Sequence, residues 1–171
     1  MSKLAEPEPI CIKHMKQEVL IRHCETIEDF EIAKTITHDY MIWLGMDLGF
    51  QNTDKEFAVF NRMYGEAGGA YIYACINGDV AGGVGFRKLS NDICEMKRLY
   101  VYEDYRGCGL AYRLCQELLS LSRSMSYCKM RLDTISRLVK ANSLYDKIGF
   151  RDIPKYYDNP DPTVRYMEID L

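Results

Sequence analysis

The sequence predicts one α/β domain, a mixed sheet of about seven strands with about four helices around it. Three observations carry that expectation. Strand-like alternation and amphipathic helical periodicity take turns along residues 18–171. An Asn77-Gly78 pair separates two strand-like runs, the signal of a tight antiparallel hairpin. A strand-like run at 93–102 passes through a short turn holding Gly107 and Gly109 into a strongly amphipathic helix.

The elements follow in order. "EVLIRHCE" (18–25) reads as a strand. Residues 26–45 read as a helix with Thr26 as N-cap and acids in the first turn. Its apolar stripe is Ile27, Phe30, Ala33, Met41 and Leu44, with Thr37 the one polar member. "LGFQNT" breaks the pattern, and a second helix is expected over 54–69, ending at glycines. The hairpin spans 71–86. The strand at 93–102 is followed by a helix over 110–125 whose stripe is Ala111, Leu114, Cys115, Leu118, Leu121 and Met125. A strand at 129–134, a helix at 138–149 closed by Gly149, and strands at 150–157 and 164–171 complete the order. Residues 1–17 mix charge with two prolines and are expected to be loosely ordered, leaving 18–171 as the domain.

Composition narrows the function. The formal net charge is -3 and no dense basic stripe occurs, which argues against nucleic acid as a partner. Seven cysteines occur without a CxxC, as in a reduced cytoplasmic protein, and the three histidines lack metal-ligand spacing, so no metal is expected. No run approaches the roughly 20 apolar residues of a spanning helix, so no membrane partner is expected.

The stretch "YRGCGLAYRL" (105–114) carries the chemistry. Glycines let a ligand approach the backbone closely. The first amides of the following helix lack internal partners, and the helix dipole adds positive charge there. Arg106 adds a full charge. A strand, such a turn and a helix make an anion site built of main chain. The plainer reading, a tight turn and nothing more, stands beside it.

The pattern is Arg106-x-x-Gly109-x-Ala111, preceded by "EMKRLYV" and followed by "MRLDT" and "ANSLYDKIGF". In this the chain resembles the GNAT superfamily of N-acetyltransferases, most specifically from Glu95 to Phe150. The resemblance implies the GNAT fold, with the sheet splayed between its fourth and fifth strands, and acetyl-CoA as co-substrate. It places the pyrophosphate on the amides of Arg106, Gly107, Cys108, Gly109, Leu110 and Ala111. It places the pantetheine arm along the strand of Leu99, Tyr100 and Val101, and Asn142 near the same arm. Cys108 itself reads as a filler side chain before it reads as a nucleophile.

By the same resemblance Tyr145 faces the thioester sulfur, where a phenol can hand a proton to the departing thiolate; the alternative is a boundary aromatic. Glu95 matches a place where some members keep a general base. Alternation puts residues 95, 97 and 99 on one face, and a half-buried Glu95 would have the raised pKa of such a base. Its alternative is an ion pair with Lys97 or Arg131.

The acceptor is expected to be the primary amine of a small molecule, contacted by residues 40–51 and 156–163, with Tyr40, Trp43 and Phe50 either an apolar wall or simply core. Asp158 and Asp161 read as members of a plain turn. A protein N-terminus or lysine as acceptor is the second reading, and an idle acyl-CoA-binding sensor the third. A homodimer is allowed, since many relatives form one.

Overall fold

The computed structural model describes residues 18–45 and 53–171. β1 (Val19–His23) leads through Thr26 into α1 (Ile27–Leu44). Thr26 closes a capping box: its Oγ1 accepts from the Asp29 amide (3.2 Å) and the Asp29 carboxylate accepts from the Thr26 amide (2.9 Å). Within α1 the buried stripe is Phe30, Ala33, Ile36, Thr37 and Leu44. Ile27 is 72% exposed, because the capping position turns the first residue away from the sheet.

The second helix is shorter than its apolar pattern predicts. α2 covers Thr53–Ala58, and Arg62–Glu66 form a π-helical turn whose Ala67 amide donates back to the Arg62 carbonyl (2.8 Å). Aromatic packing explains the change. Phe60 and Tyr64 stack at 4.6 Å, Tyr64 meets Tyr71 edge-on at 5.5 Å, and the Phe30 ring lies against Gly65.

The hairpin forms as expected. β2 (Ala70–Ile76) and β3 (Asp79–Lys88) pair antiparallel around Asn77 (φ 52°) and Gly78 (φ 95°), the left-handed pair that this turn requires. β4 (Ile93–Val101), α3 (Leu110–Ser124), β5 (Lys129–Ile135), α4 (Val139–Ile148), β6 (Arg151–Ile153) and β7 (Val164–Asp170) follow. β6 stops where Pro154 removes a ladder donor, so the strand expected to reach 157 is three residues long.

The sheet order is β1-β2-β3-β4-β5-β7-β6, with β4 and β5 as its parallel pair. One face carries α3 and α4 over a core that includes Leu114, Leu118, Phe86, Met130, Leu132 and Met167. The other face carries α1, with Ile36 packed on Tyr73 and Tyr100. No described helix is long and apolar enough to cross a membrane.

Two features of β4 create the site. β4 pairs with β5 only at Ile93, Cys94 and Glu95, opposite Lys129, Met130 and Arg131; the strands then part. The register with β3 also shifts between Gly83 and Gly85, and Arg98 adopts a left-handed backbone (φ 63°). This is a β-bulge, and it reverses the alternation of side chains. Cys94 and Met96 face the α3 core before it, and Leu99 and Val101 face the same core after it. Leu99 therefore lies on the opposite face from Glu95 and Lys97, contrary to the simple alternation expected.

Arg98 is held at the bulge by a buried ion pair. Its Nη2 donates to Glu56 Oε2 (2.6 Å) and its Nε to Glu56 Oε1 (3.1 Å), while the Tyr64 hydroxyl donates to the same carboxylate (2.7 Å). Removing one member of a buried pair strands the other charge. Glu56→Leu is expected to lower stability by about 3–5 kcal/mol in urea unfolding; a loss under about 1 kcal/mol would show the pair to be solvated.

Candidate active site

A cleft of about 880 Å³ fills the space where β4 and β5 part. Its walls come from the end of α1, from β4 beyond Glu95, from the 105–112 turn, from β5 and from α4. Six cations line it (Lys97, Arg98, Arg106, Arg137, Lys140 and Lys147). Among the described residues Asp133 is its only carboxylate. Such a wall suits a polyanionic ligand.

The glycine turn behaves as an anion site needs. Glu103–Tyr105 form a single 3₁₀ turn, and Gly107 (φ 83°) and Gly109 (φ 81°) are both left-handed. A Cβ at either glycine would meet nothing within 4 Å, so the space before the turn is open. Gly109 is the N-cap of α3 and supplies no side-chain cap. The first helical bond runs from the Arg113 amide to the Gly109 carbonyl (3.1 Å). Ahead of it, the amides of Gly107, Cys108, Gly109, Leu110, Ala111 and Tyr112 have no hydrogen-bond acceptor among the described residues.

Arg106 differs from the expectation in two ways. Its amide donates to the Glu103 carbonyl (3.1 Å), so it is not one of the open donors. Its guanidinium turns back toward β4, donates through Nε to the Val101 carbonyl (2.8 Å) and covers the rings of Trp43 (4.8 Å) and Tyr100 (5.6 Å). Cys108 is exposed and its Sγ lies 3.1 Å from the Tyr105 carbonyl.

Tyr145 reaches the cleft from α4. Burial, then the nearby Cys115, pushes its phenol well above the ordinary value, so it keeps its proton. Its hydroxyl makes no hydrogen bond among the described residues. Thr134, beside it on the cleft wall, has a buried Oγ1 that is likewise unpartnered. Two orphaned hydroxyls on one wall fit a ligand with polar atoms in the gap.

Asn142 lies elsewhere. Its Nδ2 donates to the carbonyls of Ile135 and Leu138 (both 2.9 Å) and its Oδ1 accepts from Arg165 (2.9 Å). It staples α4 to the loop after β5 and to β7, and it is not on the cleft wall.

Glu95 is fully buried between Arg87 Nε (2.6 Å), Lys97 Nζ (3.7 Å) and the Tyr156 hydroxyl (2.7 Å). Burial alone would raise its carboxyl. Lys97, Arg87 and Tyr156 together outweigh that and hold it below the ordinary range. The raised carboxyl expected from sequence is thus reversed, and the ion pair with Lys97 is present. Arg131 pairs with Glu168 instead (2.7 Å).

Tyr40 and Trp43 line the cleft, with Tyr100 packed against both at 5.8 and 5.7 Å. Phe50 and the rest of 46–51 lie outside the described residues. The 158–163 segment is a turn closed on itself: the Asp161 carboxylate accepts from the Thr163 amide and hydroxyl (both 2.7 Å), and Asp158 pairs with Lys155.

Sequence reading passed over Asp133, Lys97 and Thr134. Asp133 accepts from the Tyr157 hydroxyl (2.8 Å) and from Asn159 Nδ2 (3.2 Å). The available signal was a charge inside an apolar strand, "KMRLDT", and a second one inside "ICEMKRLYV". All six described cysteines are free; Cys94 and Cys115 are buried, and Cys108 and Cys128 are exposed.

Comparison with known proteins assigns the family. Residues 35–150 match the model described as Acetyltransferase (GNAT) family. The chain belongs to the GNAT family. An uncharacterised N-acetyltransferase of Schizosaccharomyces pombe is 36% identical over 153 residues, covering 84% of this chain and 90% of that one. The N-acetyltransferase YjgM of Escherichia coli is 32% identical over 113 residues, covering 64% and 68%. An acetyltransferase structure from Streptococcus agalactiae superposes with a TM-score of 0.73 at 20% identity, over 90% of this chain and 98% of that one, which shows the shared GNAT fold. The protein is thus an N-acetyltransferase, and its GNAT membership implies an acyl-CoA co-substrate.

The open amides lead to a prediction. Gly109→Asp puts a carboxylate into the open space before α3 and is expected to weaken CoA binding at least about tenfold, measured by calorimetry; an unchanged Kd would place the nucleotide elsewhere.

Proposed function

We propose that the protein transfers the acetyl group of acetyl-CoA to the primary amine of a small molecule, by direct attack of the amine on the thioester. The observation that supports this best is that the amides of residues 107–112 and the Tyr145 hydroxyl, none of them hydrogen-bonded among the described residues, lie on one cleft. In this reading the amides of Gly107 to Ala111 hold the pyrophosphate, with Lys140 and Lys147 at the same end. The β4 edge from Leu99 to Val101 and the Thr134 hydroxyl flank the pantetheine arm. Asn142 serves by fixing the approach of α4 to β5.

The thioester supplies an activated acetyl group. The amine nitrogen forms the C–N bond, the C–S bond breaks and the electron pair leaves on sulfur. Tyr145, protonated and with no hydrogen-bond partner among the described residues, donates its hydroxyl proton to that sulfur. The nucleophile must be neutral, so the entering ammonium gives a proton to water or to Asp133, the carboxylate on the wall. Glu95 lies behind the wall and holds Lys97 and Arg87, a positioning role.

A second name among the relatives agrees with a small acceptor. An N-acetylaspartate synthetase of Xenopus tropicalis is 29% identical over 89 residues, covering 52% of this chain and 33% of that protein.

Incubation with acetyl-CoA and an amine panel, followed by free-thiol release, tests the proposal. Turnover with small amines supports it; CoA binding without turnover on any amine would overturn it in favour of a sensor. Tyr145→Phe is expected to lower kcat about 10²-fold or more with little change in CoA affinity. Equal turnover would remove Tyr145 from the chemistry.

A further inference from the structure

We infer that the acceptor is a zwitterion, an amine that also carries a carboxylate such as an amino acid, with Lys97 taking its carboxylate and Asp133 its ammonium. This inference rests on the acetyl-transfer reading above and names the substrate class for the same cleft.

Lys97 is the first residue of β4 to line the cleft on the α1 face, two positions beyond the last pair with β5. Its side chain is 5% exposed, yet its ammonium donates no hydrogen bond to any described residue. The contact it has is Glu95 at 3.7 Å, beyond hydrogen-bond reach. Glu95 is already engaged more closely by Arg87 (2.6 Å) and Tyr156 (2.7 Å). Two cations thus face one carboxylate, and the surplus positive charge stands at the cleft. A buried lysine in that state is costly unless something with negative charge meets it. Burial pulls the ammonium below its ordinary value despite Glu95, and a bound carboxylate would restore it.

Asp133 is the counterpart across the gap. It lies two positions beyond Arg131, the partner of Glu95, on the same face of the sheet as Lys97. Its carboxylate is oriented by Tyr157 and Asn159 from the segment before β7. Lys97 and Asp133 feel each other's charge. A cation and an anion are therefore set on facing strands, with the thioester gap between them and the aromatic wall of Tyr40 and Trp43 alongside. A diamine would set a cation against Lys97; a zwitterion answers both charges.

Matched acceptors test this with the unaltered enzyme. Amino acids, their carboxamides and simple diamines are compared for thiol release from acetyl-CoA, as kcat/KM. Amino acids are expected to exceed their carboxamides at least about tenfold. Lys97→Gln and Lys97→Met are each expected to bring that ratio close to one, with near-UV circular dichroism and CoA calorimetry confirming folded protein. Calorimetric titration of CoA-loaded protein with the preferred amino acid should show binding that both variants lose. Amides or diamines used as well as amino acids would overturn the inference while leaving acetyl transfer intact. Variants that slow every acceptor equally would overturn it too, and make Lys97 part of the general machinery. Failure of all amines, with CoA still bound, would remove the acetyl-transfer reading itself.

Discussion

Everything in the cleft depends on how little β4 and β5 hold each other. Three residue pairs join them, and then each strand carries on with its backbone edge facing the gap. An open gap in the middle of a sheet is expensive, because main-chain groups there lose their ladder partners. The fold tolerates it because both strands are secured on their outer sides, β4 by the long β3 and β5 by seven pairs with β7. The bulge at Arg98 turns β4 away, and the Glu56 ion pair fixes a backbone angle that a side-chain-bearing residue rarely adopts. Glu56 belongs to α2, so the lock on the gap is supplied by an element remote from β4 in sequence.

The charges divide along the cleft according to their surroundings. The open amides before α3 suit phosphate, and Lys140 and Lys147 line the same cleft. At the other end, Lys97 and Asp133 stand on the sheet face shared by Glu95; Lys97 is buried there, and Asp133 is oriented by Tyr157 and Asn159. Tyr145 lines the same cleft and has no hydrogen bond among the described residues.

Much of the architecture could be read directly from local patterns. Asn77-Gly78 and the Thr26 capping box are decided by residues in immediate succession, and both form as read. The glycine turn before α3 is equally local. What escaped was whatever depends on distant partners. Nothing near Arg98 in the chain signals a left-handed backbone, since the cause is Glu56 on another element. The π-helical turn at 62–66 answers to Phe30 and Tyr71. Asn142 has the right spacing to share a face with Tyr145, but Ile135, Leu138 and Arg165 claim its amide. The sequence leaves Glu95 between a base and a partner of Lys97 or Arg131; its closer partners, Arg87 and Tyr156, lie on other segments and escaped.

One of these contacts has a practical consequence. The chain contains a single tryptophan, Trp43, and it forms part of the cleft wall beneath the Arg106 guanidinium. Indole emission therefore originates from one spot, next to the place a ligand would occupy. Movement of that guanidinium would change the emission, so the protein carries its own optical reporter of occupancy and needs no attached dye.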